Sequence, residues 1–279
     1  MHVYFRCLSL YEVLREIIEL PEAEAYRELV RKVIDPAFNK ALDNVEHVLC
    51  VSPHPDDCEL SVGGTLASLV SKGKDVKLVV VSDGSLGTLD PSLSPQKLSE
   101  TRYEEQIKAS DVLGVKEVLW LGYGDGRVPY NDELRNKLVC LLRSLKPNIV
   151  FAPDPWCPYE AHPDHRNVGL LIAEAIIFSP LPHFSCSEAP GIEPWLVNYL
   201  ALYNTSKPNT FYNITSFIEA KLNAIRLHKT QFEHDWEYYK SLILFNAAFY
   251  GKRASTLYAE AFKLLPTRLL HVFPVAEEI

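Results

Sequence analysis

The sequence predicts an α/β fold: a doubly wound, mainly parallel, Rossmann-like sheet with helices on both faces and a helical N-terminal extension. Two observations carry this expectation. Short apolar runs such as Val48-Leu49-Cys50-Val51 and Ile149-Val150-Phe151-Ala152 alternate with segments whose apolar residues recur at helical spacing, the pattern of successive βαβ units. Two polar clusters, Val51-Ser-Pro-His-Pro-Asp-Asp-Cys-Glu59 and Ala161-His-Pro-Asp-His165, each separate such a run from the helical segment after it. Both clusters are thereby placed at the carboxyl ends of strands, where open α/β sheets carry their sites.

From Ser9 to Asp43 the apolar positions Leu10, Val13, Leu14, Ile17, Ile18 and then Leu29, Val30, Val33, Ile34 follow helical spacing with breaks near Pro21 and Pro36. This gives the extension, residues 1–43, and leaves 44–279 for the α/β fold, the whole chain forming a single domain. A strand at Val48 to Val51 leads to a helix over Leu60 to Lys72, and a second strand covers Val76 to Ser82. The loop Asp83 to Gln96, rich in Gly, Ser, Asp and Pro, is either functional or a plain surface excursion. A helix over Leu98 to Leu113, a strand over Val118 to Leu121, a helix over Asp132 to Leu145 and a strand from Ile149 follow. Gly122-Tyr-Gly-Asp-Gly126 is not a dinucleotide fingerprint, because no helix follows it directly and Pro129 breaks the continuation. Beyond the helix Asp164 to Phe178, a Pro-rich insertion at Ser179 to Pro194 has no regular period. Strands at Val197 to Tyr203 and Phe211 to Ile214, helices over Phe217 to Gln231 and Trp236 to Leu264, and a last strand at Leu269 to Phe273 complete the expectation.

Composition narrows the partners. With 47% hydrophobic and 23% charged residues the chain is ordinary for a globular protein. A net charge of -8 argues against nucleic acid or an anionic membrane, both of which call for clustered Lys and Arg. Met1 to Leu20 carries Glu12, Arg15, Glu16 and Glu19 without a continuous apolar core, so neither a signal peptide nor a membrane span is expected. Cys7, Cys50, Cys58, Cys140, Cys157 and Cys186 show no CxxC pair and no framework spacing. Reduced thiols and a cytoplasmic location are expected from that usage.

The chemistry concentrates in the two clusters. Pro53 and Pro55 restrict the backbone on either side of His54. His54 and Asp57 can converge on one cation, whereas Asp56, between them, projects differently and is free to move a proton. With His165 from the second cluster, two imidazoles and one carboxylate make a zinc site whose remaining position is open to water. Asp164 is placed to fix the tautomer of one imidazole. Trp156 and Tyr159 precede His162 and suit either stacking on a pyranose ring or anchoring of their own loop. A serine hydrolase is a rival reading, although Gly84-Ser85-Leu86-Gly87 falls short of a GxSxG elbow. A non-catalytic sugar- or nucleotide-binding module is another, although binding would not require both carboxylates of the His-Pro-Asp-Asp turn.

His54-Pro-Asp-Asp57, Gly63-Gly64 in the helix behind it and His162-Pro-Asp-His165 together resemble the PIG-L/LmbE-like family of zinc-dependent N-acetylglucosamine deacetylases. The similarity spans roughly Asn44 to His234 and is strongest to the diacetylchitobiose deacetylases, where Cys, as at Cys58, stands in place of the more usual Glu. The resemblance implies that His54, Asp57 and His165 bind Zn2+ and that Asp56 is the general base. It implies that His162 stabilises the oxyanion or protonates the leaving amine, with Arg102 and Asp125 in the polar network beside it. It further implies an acetylated amino sugar as substrate and a homo-oligomer, a trimer or hexamer. The spacing of Lys221, Ala224, His228 and Gln231 also occurs in the family and is expected to support the fold.

Overall fold

Val48, Leu49, Cys50 and Val51 are apolar at consecutive positions because strand β1 (His47–Ser52) is covered on both sides. Val48 and Cys50 join one apolar cluster, while Leu49 and Val51 join another, as the alternation of side chains along a strand requires. In the computed structural model, which describes residues 9–186, 189–272 and 274–279, β1 pairs in parallel with β2 (Asp75–Ser82) and with β4 (Ile149–Pro153). Strand β3 (Glu117–Tyr123) adds outside β2, and β5 (Tyr199–Tyr203) adds outside β4, both parallel. The order is β3-β2-β1-β4-β5-β7-β6. Winding therefore reverses between β1 and β4, and the loops leaving these two strands flank the crevice at the switch point.

The extension forms α1 (Leu10–Ile18), α2 (Glu22–Leu29) and a short α3 (Ala41–Asn44). Helix α1 starts with a reciprocal cap in which Ser9 accepts the Glu12 amide and Glu12 accepts that of Ser9. Next come α4 (Asp57–Ser71), α5 (Pro95–Leu113), α6 (Asp132–Leu145) and α7 (Pro163–Phe178). Helix α6 shows how local signals suffice. Asn131 caps the Leu134 amide, two acids occupy the first turn, and Leu134, Leu138, Val139 and Leu142 bury one stripe. Gly169 lets α7 lie on the exit of β4, since a Cβ there would stand 2.5 Å from the Pro153 carbonyl oxygen. Gly64 plays the same part for α4, which packs so tightly on Ile214 that a Cβ would approach it to 2.8 Å.

The carboxyl-terminal third departs from expectation. The predicted helix over Phe217 to Gln231 breaks at His228 into α8 (Ile218–Leu227) and α9 (Lys229–Phe232). Helix α10 (Trp236–Arg253) stops well before Leu264, and Ala259–Pro266 is strand β7, antiparallel to both β5 and β6 (Thr210–Asn213). Gly251 allows the reversal, because the Leu257 carbonyl crosses directly over it. The predicted strand at Leu269 to Phe273 is absent among the described residues; 3-10 turns cover Thr267–Leu269 and Pro274–Glu277, and Phe273 lies outside them. The Ser179 to Pro194 insertion, apart from residues 187 and 188, which are not described, is irregular as expected. Fully buried Arg143 anchors it by donating to the carbonyls of Ser179, Leu181 and Phe184.

The thiol expectation is also corrected. Cys50 pairs with Cys58, and Cys140 with Cys186. Cys157 is free, and Cys7 lies outside the described residues. The first bridge ties β1 to the first turn of α4, and the second ties α6 to the insertion. Neither pairing has a spacing signature, because each depends on packing rather than on sequence separation. Reduced cysteines are thus withdrawn as a ground for a cytoplasmic location. Among the described residues no helix is long and apolar enough to cross a membrane.

Candidate active site

The loop between β1 and α4 is rigid from both ends. Ser52, fully buried, donates to the His54 carbonyl at 2.7 Å and accepts the Cys58 amide at 3.2 Å. The His54 amide in turn donates to Asp57 Oδ2 at 2.8 Å. Asp56 takes φ 106° and ψ -27°, a left-handed conformation rare for a residue with a side chain. That local reversal sends the two neighbouring carboxylates to different partners. Asp57 faces the two imidazoles, with Oδ2 3.4 Å from His54 Nδ1 and Oδ1 3.5 Å from His165 Nε2. Asp56 instead accepts from Arg102 Nη2 at 3.0 Å.

The second loop brings His162 and His165 alongside. His162 is the N-cap of α7, and Pro163 fills its first position. The rings of His54, His162 and His165 lie with centroids 4.5 to 5.3 Å apart. The Asp164 amide donates to His162 Nδ1 at 3.3 Å. A proton on the neutral ring is thereby assigned to Nε2, which makes that nitrogen a donor. Fully buried Asp164 accepts the amides of Gly126 and Val128 and lies 3.1 Å from His54 Nε2, while Asp125 Oδ1 lies 3.2 Å from the same nitrogen. Asp125 thus addresses His54, and Arg102 addresses Asp56.

Among the described residues two sets of donors are compact enough for a cation, His54 with Asp57 and His165, and His54 with Asp125, His162 and Asp164. The first fits better. Asp57 sets Oδ2 3.4 Å from His54 Nδ1 and Oδ1 3.5 Å from His165 Nε2, so one carboxylate lies between two imidazoles, the mixed oxygen and nitrogen donor set that suits zinc. In the second set every carboxylate oxygen already faces a backbone amide or His54 Nε2, whereas Asp57 accepts one amide, on Oδ2, and leaves Oδ1 toward His165. Asp125 and Asp164 hold His54 with Nδ1 turned toward Asp57, the outer support usual for a metal-binding imidazole. Glu160 lies 3.4 Å from His165 Nδ1, without a hydrogen bond to it, and accepts the His162 amide.

Electrostatics follow the same division. Burial works against a charge on His54, but Asp125, Asp164 and Asp57 outweigh it, and its pKa is pushed up to about 12. Burial raises Asp57, yet the two imidazoles overcome this and hold it below the usual carboxylate range. Asp56 is raised to about 6, by burial first and then by the charge of Asp57, against the opposing cation of Arg102. His162 is lowered by burial and by the neighbouring imidazoles His54 and His165.

Loop Asp83 to Gln96 closes over Arg102. A Cβ at Gly84, whose φ is +63°, or at Gly87 would stand 2.6 or 2.5 Å from the guanidinium, and the Gly84 carbonyl accepts from Nη1 at 3.0 Å. Ser85 therefore sits in a loop that shapes Arg102. Trp156 is half exposed and lines a cavity of about 530 Å³ with Asp154, Lys207 and Lys263. Tyr159 stands fully in solvent. Glu160 and Gln106, whose carbonyl accepts the Asp56 amide at 3.0 Å, were not anticipated. Neither has a motif of its own, and only the adjacency of Glu160 to the second cluster could have drawn notice.

Comparison with known proteins adds four findings. Residues 49–176 match the family model described as PIG-L, GlcNAc-PI de-N-acetylase. A diacetylchitobiose deacetylase of Thermococcus kodakarensis is 40% identical over 92% of this chain and 96% of its own length. The solved N,N'-diacetylchitobiose deacetylase of Pyrococcus horikoshii, bound to its inhibitor MPG, superposes with a TM-score of 0.85 at 40% identity, covering 91% of this chain and 97% of that one. A more distant relative is a probable N-acetyl-alpha-D-glucosaminyl L-malate deacetylase of Bacillus anthracis, 28% identical over 68% of this chain and 84% of its own.

Proposed function

The chain belongs to the PIG-L family of de-N-acetylases, and on that premise we propose that it removes one acetyl group from the non-reducing N-acetylglucosamine of diacetylchitobiose. N-acetylglucosamine itself is the smaller substrate, and the products are acetate and a free 2-amino sugar. One observation carries the reading: the left-handed turn at Asp56 parts two adjacent carboxylates, giving Asp57 to the imidazoles and Asp56 to Arg102. A mere binding site has no use for a second carboxylate kept free in this way.

His54, Asp57 and His165 would hold a divalent cation, and mixed imidazole and carboxylate donors suit Zn2+. Such an ion lowers the pKa of a water toward about 7 and polarises a carbonyl. Arg102 occupies one oxygen of Asp56 and leaves the other to take a proton from the attacking water. His162, with its proton on Nε2, donates to the amide oxygen as that atom becomes negative. Protonated Asp56, or His162, then supplies the proton with which the amine leaves. Asp125 and Asp164 keep His54 in the tautomer that frees Nδ1.

The net charge of -8 gives no attraction for phosphate-rich ligands, and Trp156 beside the second loop supports an uncharged sugar. Mass spectrometry of diacetylchitobiose labelled at its reducing end tests the assignment. Acetyl loss from the unlabelled ring is expected; loss only from the labelled ring, or from another N-acylated amino sugar in its place, would refute it.

Exposed apolar faces support a homo-oligomer. On α10, Tyr238, Leu242, Phe245 and Phe249 recur at helical spacing and stay at least 45% exposed, and Leu10, Tyr11 and Ile18 do so on α1. Light scattering at micromolar concentration should return a trimer or hexamer; a monomer would count against it.

A further inference from the structure

Behind the loop carrying His54, Asp56 and Asp57 runs a buried chain of polar side chains that the reaction described above does not use. It passes from Ser110 and Gln106 on α5 to Glu59 on α4 and on to His228, at the break between α8 and α9. The direction of the Gln106 amide is settled by its neighbours. Its Nε2 donates to Glu59 Oε1 at 2.5 Å and to Ser110 Oγ at 3.1 Å, so Oε1 is the atom that accepts the Asp56 amide at 3.0 Å. A flipped amide would set oxygen against carboxylate and N–H against N–H. His228, fully buried, lies 3.7 Å from the other oxygen of Glu59.

Asp56 needs such a clamp. A positive φ at a non-glycine residue persists only where its surroundings over-determine it. Arg102 binds the carboxylate of Asp56 and, at 2.6 Å, the Pro55 carbonyl, but neither contact holds the Asp56 peptide N–H. Gln106 holds that group. We propose that Gln106 is a positioning residue for deacetylation, locking Asp56 in its left-handed conformation, with Glu59 and Ser110 fixing the direction of the lock. The inference rests on Asp56 being the general base. Removing the lock lets the peptide relax, and the carboxylate swings away from the attacking water while Asp57 stays among its imidazoles.

Zinc-loaded Gln106→Met, Gln106→Glu, Glu59→Gln with Gln106→Glu, and Asp56→Asn are compared by acetate release from diacetylchitobiose, with zinc per chain and melting temperature measured on each. Gln106→Met should lower kcat about 10- to 100-fold, the scale of a misplacement of about 1 Å, with KM within about twofold and zinc retained. Gln106→Glu, which sets two carboxylates face to face, should lose at least as much. The double exchange should recover kcat to within about tenfold of the parent, because a carboxylate at position 106 can accept both the Asp56 amide and the new amide at position 59. Parental kcat in Gln106→Met, loss of turnover that tracks loss of zinc, a double exchange no better than Gln106→Glu, or failure of both single variants at position 106 to fold would each overturn the proposal. Full turnover in Asp56→Asn would instead remove the base on which it rests, whereas an inactive Asp56→Asn beside an active Gln106→Met refutes the positioning role alone.

Discussion

Asp56→Asn is expected to lower kcat by about 10²- to 10⁴-fold, the usual contribution of a positioned base, while the metal stays bound. The amide keeps the shape of the side chain and an oxygen for Arg102, so the loop is preserved and only proton acceptance is lost. The pH profile gives an independent check. Burial, followed by the charge of Asp57, raises Asp56 to about 6, and a base works only when deprotonated. In the parent enzyme kcat/KM should therefore fall as pH drops through about 6. Arg102→Gln removes a cation that lowers this pKa, so the same limb should move to higher pH. An Asn variant with near-parental turnover, or an acid limb that ignores both substitutions, would show that another group accepts the proton.

His54→Ala, Asp57→Ala and His165→Ala should each lose the metal and at least about 10³-fold in activity, since a bound cation contributes several kcal/mol to transition-state stabilisation. Chelation of the parent should reproduce the loss, and added Zn2+ should restore the parent but not the variants. The contrast with Asp56→Asn separates ligand from base, because only the former changes metal content. Metal analysis showing a full complement in any of the three alanine variants would exclude that residue as a ligand.

The amino-acid order alone determined the alternation of buried strands and amphipathic helices, the position of both polar clusters at strand ends, and helix α6 almost to the residue. These features are local: a cap, a turn residue and a hydrophobic period lie within a few positions of one another, so no distant segment has to be known. Where a distant segment decides, the chain is ambiguous. Ala259-Glu-Ala-Phe-Lys-Leu-Leu265 is built of good helix formers, and it is a strand because β5 and β6 offer it hydrogen bonds on both edges. The disulfide between Cys140 and Cys186 joins α6 to an insertion 46 residues further along the chain. The same division runs through the site. Residue types and spacing singled out His54, Asp56, Asp57 and His165 as a group, and the family resemblance added His162. Only the folded chain decided that φ at Asp56 is positive, that Arg102 and Gln106 hold it there, and that Asp125 and Asp164 address His54. Those choices are made by side chains from α5, the β3 exit and α7 meeting one turn after β1, and no window of sequence around that turn contains them.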